Sequence, residues 1–290
     1  MTALVVGLVV GLGVGAAMAP VLASEVFGRT NFRGNPIATA AGIVIIVTVL
    51  VVEAAVTLAG ALVDEVDLRL DPGTRLATVV VVLGVGLFGL LDDLAGDRST
   101  RGFRGHLLAL VRGRPTTGSW KLVGGGAAAL VAVAVADAAA RDDLPALLRG
   151  AVLVALAANL GNLFDLAPAR TTKVATLAAL GLAIAAGWSE VAAPWTDDVA
   201  AVVWGPLVVL GAGWSLLSAE TGERVMLGDT GANVLGAAVG VLVVVTLGAT
   251  GELIALAVVT LLNLASERVS FSRVIAATPP LRWLDGLGRG

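Results

Sequence analysis

The chain contains no cysteine and no tyrosine, one histidine, and two lysines among its 290 residues. The absence of cysteine excludes disulfides and thiolate metal sites, without identifying a compartment. The single histidine, His106, argues against a zinc centre, where several nitrogen or sulfur ligands converge. Charge is scarce as well: Asp, Glu, Lys and Arg make up 14% of the chain, hydrophobic residues 57%, and the mean hydropathy is +0.94. Those values exclude an ordinary soluble domain. Apolar runs close to the ~20 residues that cross a bilayer recur along the whole length, leaving no room for a sizeable soluble domain between them. The expectation is one integral membrane domain over residues 1–290, an all-α polytopic transmembrane helical bundle.

Nine spans are expected, at about residues 2–23, 37–61, 75–91, 119–139, 145–163, 172–188, 199–217, 228–247 and 250–265. The first lacks a basic region ahead of it and ends in APVLAS without a convincing cleavage context, so it reads as a retained helix rather than a signal peptide. Gly7, Gly11 and Gly15 recur every four residues, and Gly84, Gly86 and Gly89 thin the third span, as close helix packing requires. Positive charge sets the orientation. With the N-terminus outside, fifteen Lys and Arg fall on inner connections and the C-terminal tail, while Arg69, Arg75, Arg141 and Arg149 alone fall outside. The expected topology is therefore N-out and C-in.

That topology carries three polar stretches to the cytoplasmic ends of their spans: GLLDDLAGD (89–97), NLGNLFDLAPARTTK (159–173) and VMLGDTGANVLG (225–236). Taken singly, each has a plain explanation, with Asp229 capping the eighth span and Thr116 and Thr171 capping the fourth and sixth. Taken together, Asp92, Asp93, Asp165 and Asp229 supply four carboxylates on one side of one bundle, with Asn159 and Asn162 a turn apart beside them. Unpaired carboxylates at that density repel, and a hard cation offsets the repulsion. Oxygen ligands suit Mg2+, with Mn2+ as the alternative, and Mg2+ typically takes one or two carboxylates plus substrate phosphates and water. The stretch from Arg98 to Lys121 adds six basic residues and His106, suited to gripping a diphosphate. Lys121 and Lys173 stand out because the chain otherwise uses 17 arginines, and a retained lysine points to a need for a compact point charge.

GLLDDLAGD, then GHLLALVRGRPTTGSWK (105–121), NLGNLFDL and GDTGANVLG, in that order, resemble the motifs of the polyprenyl-phosphate N-acetylhexosamine-1-phosphate transferases. This family, glycosyltransferase family 4, includes the phospho-N-acetylmuramoyl-pentapeptide transferases of peptidoglycan synthesis. NFRGNPIATAAG (31–42) is similar to the family's first cytoplasmic loop. The resemblance implies Mg2+-dependent transfer of a sugar-1-phosphate from a UDP-sugar to a polyprenyl phosphate, releasing UMP, in cell-envelope polymer synthesis. It implies a multi-pass protein of the bacterial plasma membrane whose active site faces the cytoplasm. A homodimer stays open, and no nucleic-acid partner is expected. Carried over by position, Asp92, Asp93 and Asp165 are the catalytic residues, and Asp229, Asp165 and Asn162 hold the metal. Lys121 resembles the family's phosphate-contacting lysine, with Asn159, Asn162, Arg170, Lys173 and His106 as further substrate contacts. The sequence departs from the family in two places. The central motif usually continues as DGxDG, whereas Asp165 is followed by LAPAR, and the His-rich loop near the C-terminus is replaced by NLASERVSFSRV.

A phosphate monoester has a second pKa near ~6, so the lipid acceptor is mostly dianionic at neutral pH and gains little from a general base. Positioning and metal roles are therefore expected of Asp92 and Asp93, with proton abstraction by one of them as the alternative. Two rival functions remain. A transporter using intramembrane carboxylates would rely on Glu53, in the middle of the second span. An inactive family member would serve as an envelope-assembly partner.

Overall fold

The computed structural model describes residues 1–31, 33–62, 69–96, 116–185 and 197–289. It is an all-α polytopic helical bundle, built from α1 (Thr2–Leu22), α2 (Ile43–Leu62), α3 (Pro72–Ala95), α4 (Thr117–Ala136), the single turn α5 (Ala138–Arg141), α6 (Leu144–Phe164), α7 (Arg170–Ala185), α8 (Asp197–Thr221), α9 (Gly228–Thr246), α10 (Ala249–Ser266) and the short α11 (Phe271–Ala277) and α12 (Pro279–Gly286). Among the described residues eight helices, α1, α2, α3, α4, α6, α8, α9 and α10, are long and apolar enough to cross a membrane. The sixth expected span corresponds to α7, which covers 16 described residues.

Several helices start where their own residues cap them. Asp71 accepts from the Thr74 amide at 2.6 Å with Pro72 just inside the helix, Asp143 does the same for Ala146 ahead of Pro145, and Thr116 with Ser119 forms a capping box on α4. Thr171 does not cap α7 as expected. It lies inside the helix, and its hydroxyl donates to the Gly161 carbonyl of α6 at 3.1 Å.

The second span begins later than its hydropathy suggests. Residues 28–38 form a small hairpin, β1 (Gly28–Thr30) paired antiparallel with β2 (Pro36–Ala38), in which Asn31 Oδ1 accepts the amides of Arg33 and Asn35 at 2.9 Å each. The chain then runs alongside the segment before α9: the Met226 amide donates to the Ala38 carbonyl at 2.9 Å and the Ala41 amide to the Met226 carbonyl at 3.0 Å. Only after Gly42 does α2 begin.

Helix α9 is the central post. Of its most apolar stretch 83% is buried, against 11% for α1 and 6% for α10. Its sequence GDTGANVLGAAVG explains this, because small residues let neighbouring backbones approach. A Cβ on Gly236 would overlap the Ala157 carbonyl of α6, and a Cβ on Gly89 of α3 would overlap the backbone of Asp229. Glu53, the residue a transporter would need, is buried and accepts from Arg75 Nε of α3 at 2.7 Å.

Candidate functional site

The alternation of the helices brings the ends of α3, α6 and α8 and the starts of α4, α7 and α9 to one end of the bundle. There a cleft of about 540 Å3 opens, lined on its polar side by Arg29, Asn31, Asp92, Asp93, Asp165, Glu220, Glu223 and Asp229. That volume lies within the ~300–1,000 Å3 typical of small-molecule sites.

Gly89 admits α3 close to the start of α9, and one turn later the Asp93 carboxylate reaches that start. It accepts the amides of Asp229 and Thr230 at 2.9 Å each and the Thr230 hydroxyl at 2.6 Å. Asp93 thus supplies from another helix the cap that α9 lacks from its own residues. Gly228 makes room for it: its φ is +66°, and a Cβ there would overlap the Asp93 carboxylate. Relieved of capping, Asp229 turns its side chain to Lys121 of α4, whose ammonium donates to Asp229 Oδ2. Asp92 Oδ1 accepts the Thr117 hydroxyl at 2.6 Å.

Asp165 follows α6 directly, its amide bonded to the Asn162 carbonyl at 3.0 Å. Burial pushes its carboxyl well above the ordinary carboxylate range, and the negative charges of Glu220, Asp229 and Asp93 push it the same way. Among the described residues, the charged groups that shift it are all acidic. Glu220, near the end of α8, was missed from sequence. It is 1% exposed, accepts the Thr172 hydroxyl at 3.4 Å and the Ala169 amide, and lines the cleft beside Asp165. Its only sequence signal is an acid three residues past the expected end of the seventh span. Arg29 was counted for orientation alone, yet it donates to the Asp93 carbonyl at 2.9 Å and forms part of the cleft wall.

Other expected residues are engaged elsewhere. Asn159 donates to Asn263 of α10 at 2.7 Å, which makes it a helix-to-helix contact, and Asn162 does not line the cleft. Arg170 forms a two-pronged pair with Asp285 of α12 at 2.8 and 2.9 Å and donates to Ser272 at 2.8 Å. Lys173 donates to the carbonyls of Asp285 and Leu287 at 2.8 and 2.6 Å. Both therefore hold the C-terminal tail rather than face the cleft. Arg289 completes that lock, bridging Asp285 and the Pro168 carbonyl. His106, with Arg98, Arg101, Arg104, Arg112 and Arg114, lies outside the described residues.

The donor set is all oxygen and strongly acidic, with Lys121 and Arg29 as its nearby cations. Such a set suits a hard divalent ion. Among the described residues no three acidic or histidine side chains converge as a ready-made metal cage. Asp165 and Asp229 would therefore contribute one or two ligands, leaving the rest to phosphate oxygens and water.

In comparison with known proteins, no family model matches the chain and no curated protein matches it.

Proposed function

We propose that the protein transfers a sugar-1-phosphate from a UDP-sugar to a polyprenyl phosphate at the cytoplasmic face of the bacterial plasma membrane, with Mg2+ as cofactor. The observation that supports this reading is the meeting of Asp92, Asp93, Asp165 and Asp229 at one cleft, with Lys121 of α4 paired to Asp229. They are five of the ten residues that the resemblance assigned to the reaction, and they come from distant parts of the sequence.

The reaction asks two phosphates to meet. An oxygen of the lipid phosphate attacks the β-phosphorus of the UDP-sugar, the bond from that phosphorus to the bridging oxygen breaks, and UMP departs with the bond's electron pair. A bound Mg2+ would supply charge neutralisation on the phosphate oxygens. The chain's own part is positioning and further charge compensation. Lys121 presents an ammonium at Asp229, Arg29 a guanidinium bound to the Asp93 carbonyl in the cleft wall, and the segment 97–115, with five arginines and His106, joins cleft-lining Gly96 to the Thr116 cap of α4 in sequence. Both oxygens of Asp93 accept hydrogen bonds from the start of α9, so its role is to fix Asp229 in place rather than to take a proton. The transporter reading loses its best residue, because Glu53 is paired with Arg75 far from the cleft.

Protein purified into nanodiscs, given polyprenyl phosphate and a panel of UDP-sugars with Mg2+, should release UMP with at least one donor and stop in EDTA. Silence across the whole panel would end the reading. Cysteines introduced at exposed Arg33 and Arg282 should label from inside the cell and one at Asp142 from outside. The reverse pattern would part the cleft from cytoplasmic nucleotide sugars.

A further inference from the structure

A second cavity, of about 360 Å3, plays no part in the chemistry above. It lies between α1, α2 and α8, and Gly15, Ala16, Ala19, Val44, Leu216 and Ala219 form its body. Its shape follows from where α1 and α8 touch. A Cβ on Gly7 would overlap the Val208 carbonyl and one on Gly11 would stand 2.7 Å from Ser215 Oγ, whereas one on Gly15 finds its nearest atom, Val44 Cγ1, at 3.8 Å. The helices are pinned together at Gly7 and Gly11 and part beyond them. The result is a wedge, closed at Gly11 and widening toward the end of the bundle that carries the cleft. From Gly11 to Ala23 at its mouth the wedge is about 18 Å long.

The mouth is basic. Arg224 lines it, exposed, with contacts to the Ser218 carbonyl and hydroxyl at 3.3 and 3.4 Å. The wedge also adjoins the cleft. Val225 lines both, and the alternation of a strand sends Ile37 and Thr39 to the cleft and Ala38 to the wedge.

All three bounding helices are long and apolar enough to span a membrane, so what fills the wedge comes from the hydrocarbon layer. A neighbouring helix, 10–12 Å across with its side chains, does not enter a gap that closes at Gly11. A single hydrocarbon chain does, and the guanidinium at the open end complements an anionic headgroup. We propose that this wedge binds one phosphate-bearing membrane lipid, its chain lying along Gly15, Ala19 and Leu216 and its phosphate meeting Arg224. The site does not depend on the transferase reading of the cleft.

Native mass spectrometry of detergent-purified protein, incubated separately with dioleoyl phosphatidic acid and dioleoylglycerol, reads the site without turnover. One phosphatidic acid per chain should be retained, at least ~10-fold more tightly than dioleoylglycerol. Gly15→Leu fills the open space and should weaken retention at least ~10-fold, whereas Gly13→Leu, whose Cβ meets nothing, should not. Ala19→Leu blocks the same wedge should Gly15→Leu fail to fold. Arg224→Gln should bring phosphatidic acid down to the level of dioleoylglycerol. Equal retention of the two lipids by the unaltered protein, or unchanged retention in both wedge-filling variants, overturns the proposal. A dimer that Gly15→Leu dissociates would assign the wedge to a second copy and overturn it equally.

Discussion

Asp93 and Thr230 are joined twice, through the Thr230 amide at 2.9 Å and its hydroxyl at 2.6 Å, so a carboxylate on α3 caps a helix that begins more than 130 residues later. Removing it by Asp93→Ala would leave the first amides of α9 without a partner in a part-buried setting. A loss of about 2–3 kcal/mol of stability is expected. Thermal unfolding in detergent measures it, and an unchanged midpoint would rule out the capping role.

Gly228 answers to the same contact. Gly228→Ala places a methyl group in the left-handed region and against the Asp93 carboxylate at once. We expect a midpoint at least as low as that of Asp93→Ala, and little further loss when the two changes are combined, because both break one interaction. Additive losses would show that Gly228 matters for some other reason.

Lys121→Arg keeps the charge beside Asp229 but replaces a compact ammonium with a wide planar group. The variant should fold and lose at least ~10-fold in UMP release, a barrier increase of ~1.4 kcal/mol. Turnover equal to that of the unaltered protein would mean that positive charge alone suffices at this position.

Asp229→Asn should fold, since the cap on α9 belongs to Asp93. It should lose at least ~100-fold in Mg2+-dependent transfer, because a neutral amide neither binds a hard cation well nor balances Lys121. Near-normal transfer would remove Asp229 from the metal site.

The tail lock has its own pH dependence. Burial raises the Asp285 carboxyl, but hydrogen bonds from Arg170 and Arg289 and their charges outweigh burial and hold it below its ordinary value. A carboxyl depressed in the folded state stabilises above its unfolded pKa, and that contribution drains away as pH falls through the folded value. The tail should therefore stay docked from neutral pH down to about pH 4 and loosen below it. Hydrogen exchange at residues 285–289 follows the change, and release already at pH 5 to 6 would show that Asp285 is not the group that holds it.

Local chemistry is what the sequence made legible. Hydropathy located the spans, Thr116 announced the start of α4, and charge placement grouped the acidic motifs that the fold brings to one cleft. The hairpin at 28–38 escaped because three-residue strands carry no readable alternation. Pairings across long separations escaped as well. Nothing near Asn159 names Asn263 as its partner, and nothing near Arg170 names Asp285, so both read as free polar groups beside the acids when each was already engaged. Glu220 was passed over because SAETGER reads as a solvated loop, whereas packing against α7 buries its carboxylate. The glycine that ends DGxDG would fall at Ala169, whose φ is +58°, so the backbone there keeps a shape that favours glycine although the residue has changed.

The central position of α9 bears on how the protein is made. Ribosomes deliver α1 through α8 before the post around which they pack exists. Those helices must enter the bilayer and wait with a vacant core, their small-residue faces unpartnered, until residues 228–246 emerge. Asp93 and Lys121 wait with them, since the partners of both lie at the start of that helix. The cleft therefore comes into being at one late moment of synthesis, and a chain cut short before α9 would contain most of the acidic residues and none of the site.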